Sequence, residues 1–229
     1  MNGFLSLLLA LGFGLAFLVT LLRLLRAAER RRQSRAGFLD LCRPLLDDVR
    51  TGTGTAGFPR LGGRFRGVEV DLQAMPDTLT FRKLPALWVL VTLPGPLPLR
   101  ATLDVMIRPT GLEPFSHFSQ LADQIAPPPG FPDAAVIRTD DPGALPPASL
   151  LSPHLGLFDN PAIKELVLSP KGLRIVFLAE EADRTRYLLF RDAEMGAAPL
   201  PAERIEPLLD ALLAMREDII RAATERDRA

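Results

Sequence analysis

The sequence predicts an α+β fold: an N-terminal transmembrane helix, an antiparallel meander sheet covered by helices, and a long amphipathic helix at the end. Three observations predict it. Residues 2–22 form an uncharged, apolar run, period-two alternation recurs between residues 64 and 108 and again after residue 166, and residues 201–226 repeat apolar side chains at helical spacing. The expected division is 1–22 as the transmembrane helix, 23–61 as a basic juxtamembrane helix and linker, and 62–229 as a soluble α+β domain.

The anchor rests on length and charge. From Phe4 to Val19 nearly every residue is apolar; at ~1.5 Å of rise per residue, about 20 such residues cross a ~30 Å hydrocarbon core. Gly12 and Gly14 weaken a water-exposed helix, but lipid offers their backbone no other hydrogen-bonding partner. Arg23, Arg26, Arg30, Arg31, Arg32 and Arg35 follow, with Glu29 the only acid among them, whereas no Lys or Arg precedes the run. The positive-inside rule then puts the domain in the cytoplasm and the N-terminus outside, as in a single-pass protein of a cell inner membrane. A cleaved signal peptide fits less well, because its basic start is missing, its apolar core is shorter, and arginines stand where cleavage belongs.

Beyond the arginines, Phe38, Leu39, Leu41, Leu45, Leu46 and Val49 recur at helical spacing and predict a helix over 36–50, kinked at Pro44. Thr51 to Pro59, rich in Gly and Thr, reads as a flexible linker or turn cluster. Strands are expected at Val68–Leu72, Leu79–Phe81, Leu87–Leu93 and Leu99–Ile107, joined by Pro/Gly turns into a meander. A short helix over Pro114–Ile125, a strand at 134–139 and a short helix near 149–158 come next. Leu166–Leu168, Leu173–Leu178 and Tyr187–Phe190 read as three further strands, and Ile205, Leu208, Leu209, Leu212, Met215 and Ile219 line one face of the last helix.

Charge excludes one class of partner. The chain has 27 basic and 27 acidic residues, but residues 1–35 hold six Arg against one Glu, which leaves 21 basic and 26 acidic residues in 36–229, a net of −5. Such a surface is not built for nucleic acid. Cys42 is the only cysteine, so neither an intrachain disulfide nor a thiolate cluster can form.

Residues with reactive side chains stand apart from one another. His117 and His154 have no second ligand at metal-binding spacing, and His117 lies between Phe115 and Phe118, where packing or capping accounts for it. Ser116, Ser119, Ser149, Ser152 and Ser169 fall at caps, helices or turns without a Gly-x-Ser-x-Gly elbow. Gly62–Gly67 lacks the Lys-Ser/Thr of a phosphate loop and runs into a strand. Asp140-Asp141 precedes Pro142-Gly143, and Glu180, Glu181 and Asp183 fill a turn. No residue is therefore assigned as catalytic, cofactor-binding or metal-ligating. Arg30, Arg31 and Arg32 could draw anionic lipid headgroups at about 1 kcal/mol per side chain, although fixing orientation explains them better.

At Gly63-Arg64-Phe65-Arg66-Gly67-Val68-Glu69-Val70, with the apolar run ahead of it, the chain resembles uncharacterised bacterial single-pass membrane proteins with a β-rich soluble domain. That resemblance implies no activity. The expectation is a membrane-tethered, non-enzymatic binding or assembly module, touching the bilayer through residues 2–22 and a protein partner whose identity the sequence does not reveal. The rival is an enzyme, hydrolytic in type, with Asp140, Asp159 or His154 converging from a distance.

Overall fold

Among the described residues there are nine strands, some alternating apolar with polar residues and β4 a nearly continuous apolar run: β1 (Asp47–Thr53), β2 (Pro59–Phe65), β3 (Val68–Asp77), β4 (Ala86–Pro94), β5 (Leu103–Ile107), β6 (Asp123–Ile125), β7 (Ala135–Thr139), β8 (Ile163–Ser169) and β9 (Gly172–Glu181). In this computed structural model, which describes residues 2–78, 84–190, 195–226 and 228, they form a single sheet in the order β1-β2-β3-β4-β9-β8-β5-β7-β6. Each neighbouring pair is antiparallel. Among the described residues four α-helices accompany it: α1 (Asn2–Ala36), α2 (Ala148–Leu151), α3 (Arg184–Phe190) and α4 (Glu206–Arg226). The α+β class and the long C-terminal helix are those expected from the sequence.

One face of the sheet is dry. Leu208, Leu209, Leu212, Met215 and Ile219 of α4 are buried in one cluster with Val89 and Val91 of β4 and Ile175 and Phe177 of β9. The four-strand meander is interrupted, because β9 and β8 lie between β4 and β5. Most of β4 is buried, on both of its faces, so it needs a paired neighbour on each side, and the β8–β9 hairpin supplies the second.

Several local expectations are corrected. The helix predicted over 36–50 is only a 3-10 turn at Asp40–Leu45, after which the chain turns extended into β1. Pro44 has no N–H to carry a helix forward, and burial decides the rest: Phe38, Leu39, Cys42 and Leu46 join the core, where Cys42 Sγ donates to Leu200 O (3.6 Å) and Leu200 N–H to Phe38 O (2.7 Å). The linker read over 51–59 is largely structured, since β1 runs to Thr53 and Gly54 N–H donates to Phe58 O at 2.6 Å. The helix over 114–125 reduces to a 3-10 turn at Phe118–Gln120 followed by β6. Tyr187–Phe190 is the end of α3, not a strand. The strand expected at Leu79–Phe81 lies outside the described residues.

Helix α1 runs unbroken for 35 residues, about 52 Å. Its side chains are described at 11–26, 29, 30 and 32–36, and there Leu11, Phe13, Leu15 and Phe17 are 63–75% exposed. Among the described residues no helix is long and apolar enough to cross a membrane. Of the span expected over 1–22, the side chains of residues 1–10 lie outside the described ones.

Candidate functional site

The sheet's second face carries the groove. Strand register lines up Arg50, Gly62, Asp71, Thr92, Arg174, Val167, Asp104 and Arg138 in one row across eight strands. The next row on the same face runs Gly52, Arg60, Gln73, Leu90, Val176, Glu165, Met106 and Val136. Charged side chains dominate at the β1–β3 end of both rows. There they pair across strands, Arg60 Nε with Asp71 Oδ1 at 2.6 Å and Arg50 Nη2 with Glu69 Oε1 at 3.0 Å.

A loop between β5 and β6 roofs part of this face. Phe115 and Phe118 come down on Leu90, Met106 and Val176, and Trp88 lies 4.9 Å from the Phe115 ring, so a second small core forms. Where the roof ends, a cavity of about 930 Å3 opens, lined by polar groups that include Asp104, Ser116, His117, Asp140, Glu165 and Arg174.

Asp104 and Glu165 lie at the boundary between the roofed and open parts. Asp104 faces Val167 across the β5–β8 ladder, and Glu165 is two residues from Val167 on the same face, so the two carboxyls are diagonal neighbours. They are 3% and 0% exposed. Burial, then the charge of Glu165, pushes Asp104 up to about 9 against the pull of Arg174. Burial likewise pushes Glu165 up to about 7, against the Ser116 hydroxyl and Arg174. Ser116 Oγ donates to Glu165 Oε1 and accepts the Phe118 N–H at 2.9 Å. Among the described residues Asp104 Oδ1 and Glu165 Oε2 have no donor, and a hydrogen bond with Glu165 adds to the rise of Asp104, which is how a protonated carboxyl shares its proton with its neighbour.

Neighbouring charges are held in place. Glu113 is pushed up by burial, but the Thr110 N–H and hydroxyl outweigh that and hold it below its ordinary value. Lys164 Nζ donates to Ile107 O and Arg108 O at 2.7 Å and lies 3.6 Å from Glu113. Arg174 Nε donates to Thr92 Oγ1 at 3.3 Å.

The residues singled out for an enzyme are not brought together. Asp140 stands at the groove's rim and accepts the Thr102 N–H at 2.7 Å. His154 instead meets Asp218 of α4 at 2.9 Å. Burial holds its imidazole below the ordinary value, which favours the neutral ring; a neutral ring protonated at Nε2 donates a hydrogen bond to Asp218. Asp159 is exposed at the end of the 3-10 turn Ser152–Asp159. Among the described residues no three or more His, Cys, Asp or Glu side chains are grouped to hold a metal ion.

Sequence reasoning missed the carboxyl pair, because Asp104 alternates with Leu103 and Val105 and so reads as a solvent-facing strand residue. Its neighbour on the same face, Met106, was the available signal: a face that alternates acid with large apolar residues is roofed, not wet. No protein-family model matches the chain, and no curated protein matches it in sequence.

Proposed function

We propose that this protein is a membrane-tethered, non-enzymatic binding module, with α1 as a single-pass anchor and the open sheet face as the surface that takes a ligand or partner. The observation that carries the tether is the exposure of Leu11, Phe13, Leu15 and Phe17 on successive sides of α1. A helix apolar all round is stable in lipid or against another protein, not in water. The described apolar stretch Leu11–Leu22 reaches only about 18 Å, but the uncharged sequence continues back to Asn2, and the 21 residues together reach about 32 Å.

Arg23 to Arg35 favour a cytoplasmic domain and an outside N-terminus in a cell inner membrane. Arg30, Arg31 and Arg32 would then face anionic headgroups of the cytoplasmic leaflet. Layout relates the chain, on this reading, to bacterial single-pass proteins with a β-rich domain.

Alkaline carbonate extraction of cells expressing the full chain tests the tether. The full chain is expected in the membrane pellet and a variant lacking residues 2–22 in the supernatant; recovery of the full chain in the supernatant would sink the proposal. Reporters fused after Ala229 test orientation, and activity of the externally active one would reverse it.

A further inference from the structure

We infer that the groove beside Asp104 and Glu165 binds a monovalent nitrogen cation on an apolar stem, such as a primary ammonium or guanidinium group, which replaces the proton the two carboxyls share. This deepens the binding-module reading of the open face and is independent of the anchor.

Two acceptor atoms, Asp104 Oδ1 and Glu165 Oε2, sit on side chains 3% and 0% exposed, have no protein donor among the described residues, and belong to residues that line the cavity. Buried acceptors without donors are costly, and an ammonium or guanidinium brings several donors in a compact charged group. Net charge selects a monocation. From β5 and β8 come Asp104, Glu165 and Lys164, from β9 comes Arg174, and from the roof comes Glu113. With all ionised, three acids face two bases and the sum is −1. A divalent metal would find only two carboxylates here, and no group of three among the described residues. Leu90, Leu121 and Val167 line the cavity and would contact a hydrocarbon stem.

Because the cation displaces a proton, binding tightens as pH rises. Asp140, His117 and Lys171 also line the cavity, and His117 brings the one imidazole among its lining residues. A His117→Gln variant keeps the two effects apart.

The test uses the full chain in nanodiscs of neutral lipid, with benzylamine as the cationic probe and benzyl alcohol as its uncharged counterpart, read by calorimetry against empty discs. Benzylamine is expected to bind about tenfold or more tighter than benzyl alcohol at pH 8, and to weaken about tenfold by pH 6 with proton release on binding, in the wild type and in His117→Gln. The preference should vanish in Asp104→Asn/Glu165→Gln. Equal binding of the two probes, no binding of benzylamine, or a preference that survives the double variant would overturn the inference. Should the double variant fail to fold, Ser116→Ala decides: both carboxyls remain, Glu165 loses the hydroxyl that holds it down, and the pH midpoint of binding must move up. An unmoved or lowered midpoint refutes the site. A chain that washes off membranes yet binds benzylamine would lose the anchor and keep the groove.

Discussion

Asp104→Asn should remove the part of the pH dependence of stability that Asp104 itself imposes. In the folded protein Asp104 is held up at about 9, against 3.8 for the free side chain, so across that window the native state keeps a proton that the unfolded chain has released. Stability is therefore greatest at low pH and falls as pH rises, by about 1.4 kcal/mol per pH unit for each proton retained. Between pH 5 and 7 one retained proton lowers stability by about 3 kcal/mol. The Asn side chain cannot ionise, so its own slope is zero. Urea unfolding of the full chain in detergent, followed by the fluorescence of Trp88 beside Phe115, gives the difference between wild type and variant at each pH. Glu113 and His154, both held below their ordinary values, work in the opposite sense but equally in both proteins, and cancel in the difference. A gap between the two proteins that stays constant from pH 5 to 8 would refute the proton-sharing pair.

Gly172→Ala should cost about 2–4 kcal/mol, since φ is +137° and the added Cβ would collide with the Leu93 carbonyl; a thermal melt should fall by roughly 5–15 °C. Leu212→Ala, at a position 0% exposed under α4, should cost about 2–5 kcal/mol in the same melt. His154→Gln keeps a donor for Asp218 but does not titrate. The wild type loses the His154 contribution as pH falls, because the unfolded ring gains a proton below about 6.5 while the folded ring resists it. The stability gap between the two should shrink from pH 7.5 to pH 5, and a gap that widens would show the folded ring to be charged.

What the sequence made legible followed from repeated local signals. Val68, Val70 and Leu72 announced β3, and the apolar stripe from Ile205 to Ile219 announced α4, because period and burial agree there. Phe38 to Val49 misled for a physical reason: Phe38, Leu39 and Leu46 are buried, but Leu41 and Val49 of the same stripe are exposed, and Phe38, Leu39 and Cys42 fill a place in the core that β1 then leaves as an edge strand. Strand order was not legible either, since pairing depends on which strands need two neighbours, and no local pattern says that β9 lies beside β4. The carboxyl pair is non-local in the same way. Asp104 and Glu165 are 61 residues apart in sequence and meet only through the β5–β8 register.

The two faces of the sheet are finished differently, and the groove is the consequence. On the α4 side a 21-residue helix is long enough to cover the central strands, and the buried row is apolar throughout. On the other side the covering element is a loop whose reach ends with Phe115 and Phe118. Strands longer than their roof leave polar side chains in the open at one end and seal apolar ones at the other, so any acid placed at the margin is desolvated without being enclosed. Glu165 shares its row with Leu90, Val176 and Met106, while Asp104 shares the adjacent row with Arg174, which sets one carboxyl on the dry side of the margin and the other on the charged side. Raised carboxyls beside an accessible cavity arise from that geometry, whatever occupies it. Glu165 remains tied to the roof through Ser116, so the loop that dries the pair also holds it in register with the groove.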